Sequence, residues 1–360
     1  MTQPVRKMPH VPVLDGWRGI SIVLVLLGHL FPLGPKAWQM NAAFAATGMA
    51  VFFCLSGFLI TNTLIYRPVV QEFLIRRLCR IVPLSWAFML IVLLSERAPF
   101  KTSLAQMLFV ANYPPFFLTV PTAHLWSLCV EVQFYLTVAL LYALFRHRGL
   151  YLLPVLCLIV TGIRIATHTE ISIVTYARVD EILAGATLAL ALDSPRFAAI
   201  KSALQQRWLI LFFIPLAIAS ANPLTGPLGY LRPYIVTLMV GQTVLFAPGL
   251  TGKVLRSRTL FFLAEISYAL YILHRLVDVG WLDTGSKIVR YLKRMPALAV
   301  VFAGAWASTR YYEHWWIAQG KRWSKRLEKP PAALTASKTR VADLVGARSA
   351  RTLHSRYSDR

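Results

Sequence analysis

Apolar runs long enough to cross a bilayer recur from residue 17 to residue 316, with only short polar gaps between them. A helix of about 20 apolar residues matches a hydrocarbon core about 30 Å thick. Inside lipid each backbone N–H and C=O must be satisfied within the structure, because no water is there to do it. These runs therefore predict an all-α, polytopic transmembrane helix bundle. Composition agrees: 57% of residues are hydrophobic, 15% are charged and the mean hydropathy is +0.56, outside the range of ordinary water-soluble domains. No globular domain fits in the gaps.

Hydropathy places ten spans, at 17–33, 43–65, 82–95, 126–145, 150–167, 179–193, 207–221, 230–247, 258–282 and 294–315. The stretch 104–120 is also apolar, but Asn112, Pro114 and Pro115 mark it as re-entrant or interfacial. With a cytoplasmic N-terminus, most Lys and Arg fall on the inner side, and both termini are then cytoplasmic. The excess survives when the basic tail is left out. One loop runs against it: Lys287, Arg290, Lys293 and Arg294 fall on the predicted outer side. A cleavable leader ending near Ala43-Phe44-Ala45 is disfavoured, since a discarded segment has no use for Asp15, Arg18 and His29. Residues 1–317 are expected to form the membrane domain, and 318–360 a basic, disordered cytoplasmic tail near anionic lipid.

A net charge of +23 from 38 Lys and Arg residues would suit a nucleic-acid binder if it formed one soluble patch. It is instead spread between apolar runs, so no nucleic-acid partner is expected. Membrane lipid is. Cys54, Cys79, Cys129 and Cys157 lie in or beside apolar runs at no metal-ligand spacing, which makes them packing residues and predicts no metal.

Ionisable side chains inside spans are costly and mark functional positions. Arg18 and His29 stand eleven residues apart, which returns to nearly the same helix face about 16 Å higher. Asp15 extends that edge by a turn. His29 either serves as a base past the midplane or merely bonds a neighbouring helix. The fourth span puts Ser127, Glu131 and Tyr135 on one face, with Glu131 at the depth of His29. There its carboxylate could orient and activate the imidazole, or it could pair with an arginine for assembly. The ninth span carries Ser267, Tyr271, His274 and Asp278 as one polar stripe. Arg178, Asp180 and Glu181 open the sixth span at the outer surface, where water is expected to solvate at least one of them. On the inner side, Arg76, Arg77 and Arg80 either set topology or bind phosphates through their paired donors. Phosphates inside and a base outside imply a large phosphorylated donor whose reactive end crosses the membrane.

At these residues the chain resembles the bacterial acyltransferase 3 family of membrane-bound O-acyltransferases. The resemblance covers about residues 13–315 and consists of several patterns in order. Leu14-Asp15-Gly16-Trp17-Arg18-Gly19 with Gly28-His29 is similar to the family's opening signature. Phe52-Phe53-Cys54-Leu55-Ser56-Gly57-Phe58-Leu59-Ile60 resembles its second-helix motif, with Cys54 where an aliphatic residue is usual. Arg76-Arg77-Leu78-Cys79-Arg80-Ile81-Val82-Pro83 resembles its cytoplasmic arginine motif, and His124-Leu125-Trp126-Ser127-Leu128 with Glu131, Gln133, Phe134 and Tyr135 its most recognisable stretch. Arg178-Val179-Asp180, and Ser267-Tyr268 with Tyr271 and His274, complete the set. One departure is that Glu313 is followed by His314 and Trp315, where the family often has a nearby Pro.

The resemblance implies transfer of an acyl group, usually acetyl, from cytoplasmic acyl-CoA to a hydroxyl of an extracytoplasmic carbohydrate or lipid-linked sugar, in a bacterial inner membrane. Exopolysaccharide, O-antigen and nodulation-factor O-acetyltransferases are of this kind, some with an extra extracytoplasmic hydrolase-like domain that is not expected here. It implies His29 as catalytic residue, Arg18 as its companion, and Arg76, Arg77 and Arg80 at the nucleotide end of the donor. In this reading Glu131 orients His29 or relays its proton, Tyr271 or Ser127 stabilises the oxyanion, and Asp15, Tyr135, Asp180 and His274 support the site. A proton-coupled transporter is the alternative, since buried His, Glu and Arg also suit that task. A third reading is a non-enzymatic membrane partner that recruits through its tail. The enzyme reading predicts that removing residues 318–360 leaves the chemistry intact.

Overall fold

The computed structural model describes residues 10–328, and among these there is no strand. Helix α1 (Pro12–Leu30) starts on a proline, whose missing N–H costs nothing in a first turn. It is followed by α2 (Met40–Tyr66) and α3 (Val70–Ser95). The Asn41 side chain donates to the carbonyls of Gly28 (2.9 Å) and Phe31 (2.6 Å). Those end-of-helix carbonyls have no partner within α1, so Asn41 holds the turn that carries His29. Pro83 interrupts the bonding of α3. Two residues before it, the Ile81 carbonyl accepts from Tyr268 Oη (2.5 Å) and Ser85 Oγ (2.9 Å), which ties α3 to the helix that carries Tyr268.

Next come α4 (Phe100–Met107), α5 (Trp126–Phe145), the single turn α6 (His147–Leu150) and α7 (Leu152–Ala166). The 104–120 stretch forms no crossing helix; α4 ends at Met107 and turns follow. Then α8 (Asp180–Asp193) bends by 93° into a segment that includes α9 (Ala198–Leu204), and α10 (Leu209–Ser220) bends by 119° into one ending in α11 (Arg232–Leu245). After α12 (Gly249–Leu255), α13 (Arg258–Leu273) tightens into a 3₁₀ turn over His274–Asp278. Helix α14 (Lys287–Ala307), a π-helical turn over Ser308–Glu313 and α15 (His314–Glu328) complete the described chain.

Every one of the ten expected spans contains helix, yet six helices among the described residues are long and apolar enough to cross a membrane, or up to eight if each bent pair is one span. Helices α8, α10 and α11 have 14, 12 and 14 residues, which is about 18–21 Å at 1.5 Å per residue. Helix α14 meets the length but carries four cations in its first eight residues. Leu136, Leu140 and Leu144 are exposed along one face of α5, an apolar stripe suited to lipid. These features fit a multi-pass membrane protein.

Helix α2 lies at the centre, packed on α1, α8 and α11. Its contact with α8 is backbone to backbone: a Cβ on Gly57 would sit 1.8 Å from the Ile182 carbonyl oxygen, and one on Gly185 2.0 Å from that of Cys54. Small residues permit such approach where helices pack by shape rather than by excluding water. Cys54, Cys129 and Cys157 are buried and unpaired, as packing residues would be.

The acidic opening of α8 is buried, not solvated. Asp180 pairs with Arg164, and Glu181 lies 2.5 Å from Arg232 Nε and 3.3 Å from Arg178 Nη2; all five side chains are at most 2% exposed. The basic segment predicted on the outer side forms the start of α14, where Asp283 takes Arg294 (2.5 Å) and Arg290 (3.3 Å), and Lys293 donates to the Trp281 (2.5 Å) and Thr284 (2.7 Å) carbonyls. Residues 318–328, assigned from sequence to the tail, belong to α15, which packs along α3 with Gly320 against Cys79. The rest of that tail lies outside the described residues.

Candidate active site

A cavity of about 350 Å³ opens at the ends of α1, α2 and α3 and is walled by Asp15, Arg18, Arg67, Glu72, Arg76, Arg77, Arg80 and Lys321, with Leu59, Thr63, Val69, Phe73 and Ile317 between them. Not all of its cations are free. Glu72 holds Arg76 Nη2 at 2.5 Å and Arg67 Nη1 at 3.4 Å, and Arg76 Nε donates to Ser324 (3.2 Å). Arg18, Arg77, Arg80 and Lys321 form no ion pair among the described residues. Four such cations around one hollow have the charge to bind phosphate oxygens, and three are guanidinium groups able to give paired bonds. Asp15, at the rim, is bonded to His10 (2.9 Å).

Arg18 is within coulombic reach of Arg77, Arg80, Asp15 and Glu131, so α1 carries the polar column inward from the cavity. Glu131 is 4% exposed. Its Oε1 accepts from Ser56 Oγ (2.5 Å) and from the Tyr135 hydroxyl, and the Arg77 guanidinium lies 5.8 Å over the Tyr135 ring. Ser56 was not singled out from sequence as a site residue; its presence in the second-helix motif was the available signal.

At the far end of α1, His29 Nδ1 lies 3.2 Å from His274 Nε2, with the ring planes inclined by 23°. His274 Nδ1 is 2.7 Å from the Tyr271 carbonyl. The His124 ring stands edge-on at 4.9 Å from that of His274, its Nε2 3.1 Å from the Ile272 carbonyl. Tyr271 donates its hydroxyl proton to the His124 carbonyl, so Ser127 Oγ, 2.5 Å away, donates to Tyr271. Both hydroxyl protons expected to serve an oxyanion are thus committed elsewhere. Arg275, 22% exposed, is within coulombic reach of His29 and pairs with Asp278 (2.6 Å).

The structure therefore brings together His29 and His274, Ser127 and Tyr271, and Glu131, Tyr135 and Ser56. It does not join Glu131 to His29, and Asp180 serves the buried ion pair instead. The cavity wall includes neither Glu131 nor His29. Glu313 is buried, bonded to Thr309 (2.9 Å) and within coulombic reach of Arg80. Among the described residues no group of His, Cys, Asp or Glu is arranged to hold a metal ion.

Residues 11–310 match the family model described as "Acyltransferase domain". The O-acetyltransferase OatA of Staphylococcus aureus strain NCTC 8325 / PS 47 is 27% identical over 315 residues, covering 74% of this chain and 50% of that protein, and OatA of strain MRSA252 gives the same figures. The chain thus spans about half the length of the curated relatives it matches. No solved structure matches. With the family model covering 300 residues from α1 into the last helices, the chain belongs to the Acyltransferase domain family, Acyl_transf_3.

Proposed function

We propose that the protein is a membrane O-acyltransferase that moves an acyl group, acetyl by default, from cytoplasmic acyl-CoA to a hydroxyl of an extracytoplasmic carbohydrate or lipid-linked sugar. The observation that carries this reading is that one helix, α1, bears Arg18 in a cation-lined cavity and, about 16 Å along, His29 in an imidazole pair. The names of the OatA relatives support O-acetylation. The excess of basic residues on the side of both termini supports a cytoplasmic donor face, and the bacterial inner membrane is the corresponding location.

In this reading Arg18, Arg77, Arg80 and Lys321 hold the donor's phosphates, while Arg76 is held by Glu72. A sugar hydroxyl is a poor nucleophile until a base takes its proton in the transition state, and His29 is that base. Arg275 is the cation placed to stabilise charge developing on the thioester oxygen. Glu131 lies between the two ends, within reach of Arg18 and Tyr271, and orients the column rather than bonding His29.

Acyl transfer by purified protein in detergent tests the reading. General-base catalysis contributes about 10²–10⁴ in rate, so His29→Ala is expected to insert normally and turn over at background level. Near-normal transfer by that variant would overturn the mechanism. Absence of acyl transfer in detergent by the wild-type protein would instead favour a proton-coupled transporter, a task that buried His, Glu and Arg also suit.

A further inference from the structure

We infer that His274 is the positioning residue that selects which nitrogen of His29 acts as base: the backbone carbonyl of Tyr271 fixes the tautomer of His274, and His274 fixes that of His29. The inference rests on His29 being the base, and it adds the atom that does the work.

The argument is a count of protons along three atoms. A carbonyl oxygen only accepts, so the 2.7 Å contact between His274 Nδ1 and the Tyr271 carbonyl puts the proton on His274 Nδ1. The contact is locally determined. Helix α13 ends at Leu273 and the chain tightens into 3₁₀, leaving last-turn carbonyls that a histidine three residues on can cap. A neutral His274 protonated on Nδ1 presents a lone pair on Nε2. His29 Nδ1 lies 3.2 Å from that nitrogen, with the ring planes inclined by 23° and the ring centroids 5.2 Å apart, so the bond forms only if His29 Nδ1 carries a proton. Neutral His29 then keeps its lone pair on Nε2, the ring atom farthest from its own backbone.

His274 is 0% exposed, so water does not compete for its Nε2. This is the logic by which a partner on one imidazole nitrogen sets the role of the other. Here the partner is a second neutral imidazole rather than a carboxylate, which suits a site where an unpaired charge is costly. In the reaction the acceptor hydroxyl proton passes to His29 Nε2 as its oxygen bonds the thioester carbonyl carbon. The C–S bond then breaks and the thiolate takes the same proton from Nε2, leaving an ester and a free thiol. His29 Nδ1–H stays on His274 throughout.

The test is ¹⁵N NMR of the full chain in detergent with labelled histidine, at a pH where the rings are neutral, and with the His29 signals assigned by their loss in His29→Gln. The expected spectrum has His29 Nδ1 pyrrole-type and Nε2 pyridine-type; the reverse assignment overturns the inference. In His274→Phe the His29 signals are expected to shift toward the Nε2–H form, with kcat down about a hundredfold, as for a misplaced reacting group, and both KM values within about twofold of wild type. His274→Gln, which can place an amide oxygen near the lost Nε2, is expected to restore the Nδ1–H form and most of kcat. Unchanged tautomers in His274→Phe would show that His274 does not select them. Activity in His29→Ala would instead remove the base reading while leaving the tautomer result standing.

Discussion

Ser56 Oγ lies 2.5 Å from Glu131 Oε1, tying α2 to α5 in the stretch between the cation-lined cavity and the imidazoles. The same oxygen accepts from Tyr135. Glu131 is therefore a buried carboxylate held by two hydroxyl donors, with the guanidinium of Arg77 beyond one of them.

That arrangement makes Glu131 sensitive to charge and Ser56 sensitive to loss of a donor. Removing a hydrogen bond to a buried charged group costs about 1.5–3 kcal/mol. Ser56→Ala is expected to lower Tm measurably and reduce kcat, while Glu131→Gln is expected to fold but fall well below wild-type turnover. Wild-type turnover by Glu131→Gln in a quantitative transfer assay would make its charge irrelevant to the reaction.

Arg18 and Arg80 differ from Arg76 in having no ion-pair partner at the cavity. Arg80→Ala and Arg18→Lys are expected to raise KM for acyl-CoA by roughly tenfold, the equivalent of about 1.4 kcal/mol, since lysine lacks the planar fork. Arg76→Ala is expected to act mainly on stability, through Glu72 and Ser324. Donor titrations with the three variants side by side would expose an equal effect on KM, which this assignment does not allow.

Helix α15 supplies Ile317 and Lys321 to the cavity wall and Ser324 to Arg76. A chain ending after residue 328 is expected to keep donor binding, whereas one ending after residue 313 is expected to lose it. Deleting 318–360 thus should not leave the chemistry untouched, contrary to what the enzyme reading of the sequence alone predicts. Lys321→Glu is the milder probe. It should weaken acyl-CoA binding with little change in Tm, and unaltered binding would exclude Lys321 from the donor site.

Glu181 serves two buried arginines, Arg178 and Arg232. Removing one member of a buried ion network leaves uncompensated charge and costs about 3–5 kcal/mol. Glu181→Ala is therefore expected to lower Tm sharply and cut the yield of folded protein. An unchanged melting curve would mean that the two guanidinium groups are satisfied by something else.

Much was readable from sequence because lipid imposes a one-dimensional constraint. Apolar runs between polar gaps have one way to satisfy their backbone, so all ten expected segments hold helix, and helical periodicity alone put Arg18 and His29 on one edge of α1. The same period brought Ser127, Glu131 and Tyr135 to one face of α5. What stayed hidden depends on which helices touch and at what height. Depth along a helix suggested that Glu131 meets His29, but the rotation of α5 against α2 hands that carboxylate to Ser56, and the turn at the end of α13 hands the imidazole to His274. Likewise composition assigned 318–328 to a tail, because an amphipathic basic segment reads as solvated until another helix gives it somewhere to pack, as α3 does where Cys79 meets Gly320. Local hydrogen bonding and hydropathy are functions of neighbours in sequence, whereas the partners of a buried polar atom are chosen by side chains hundreds of residues away, and only the packed bundle decides them.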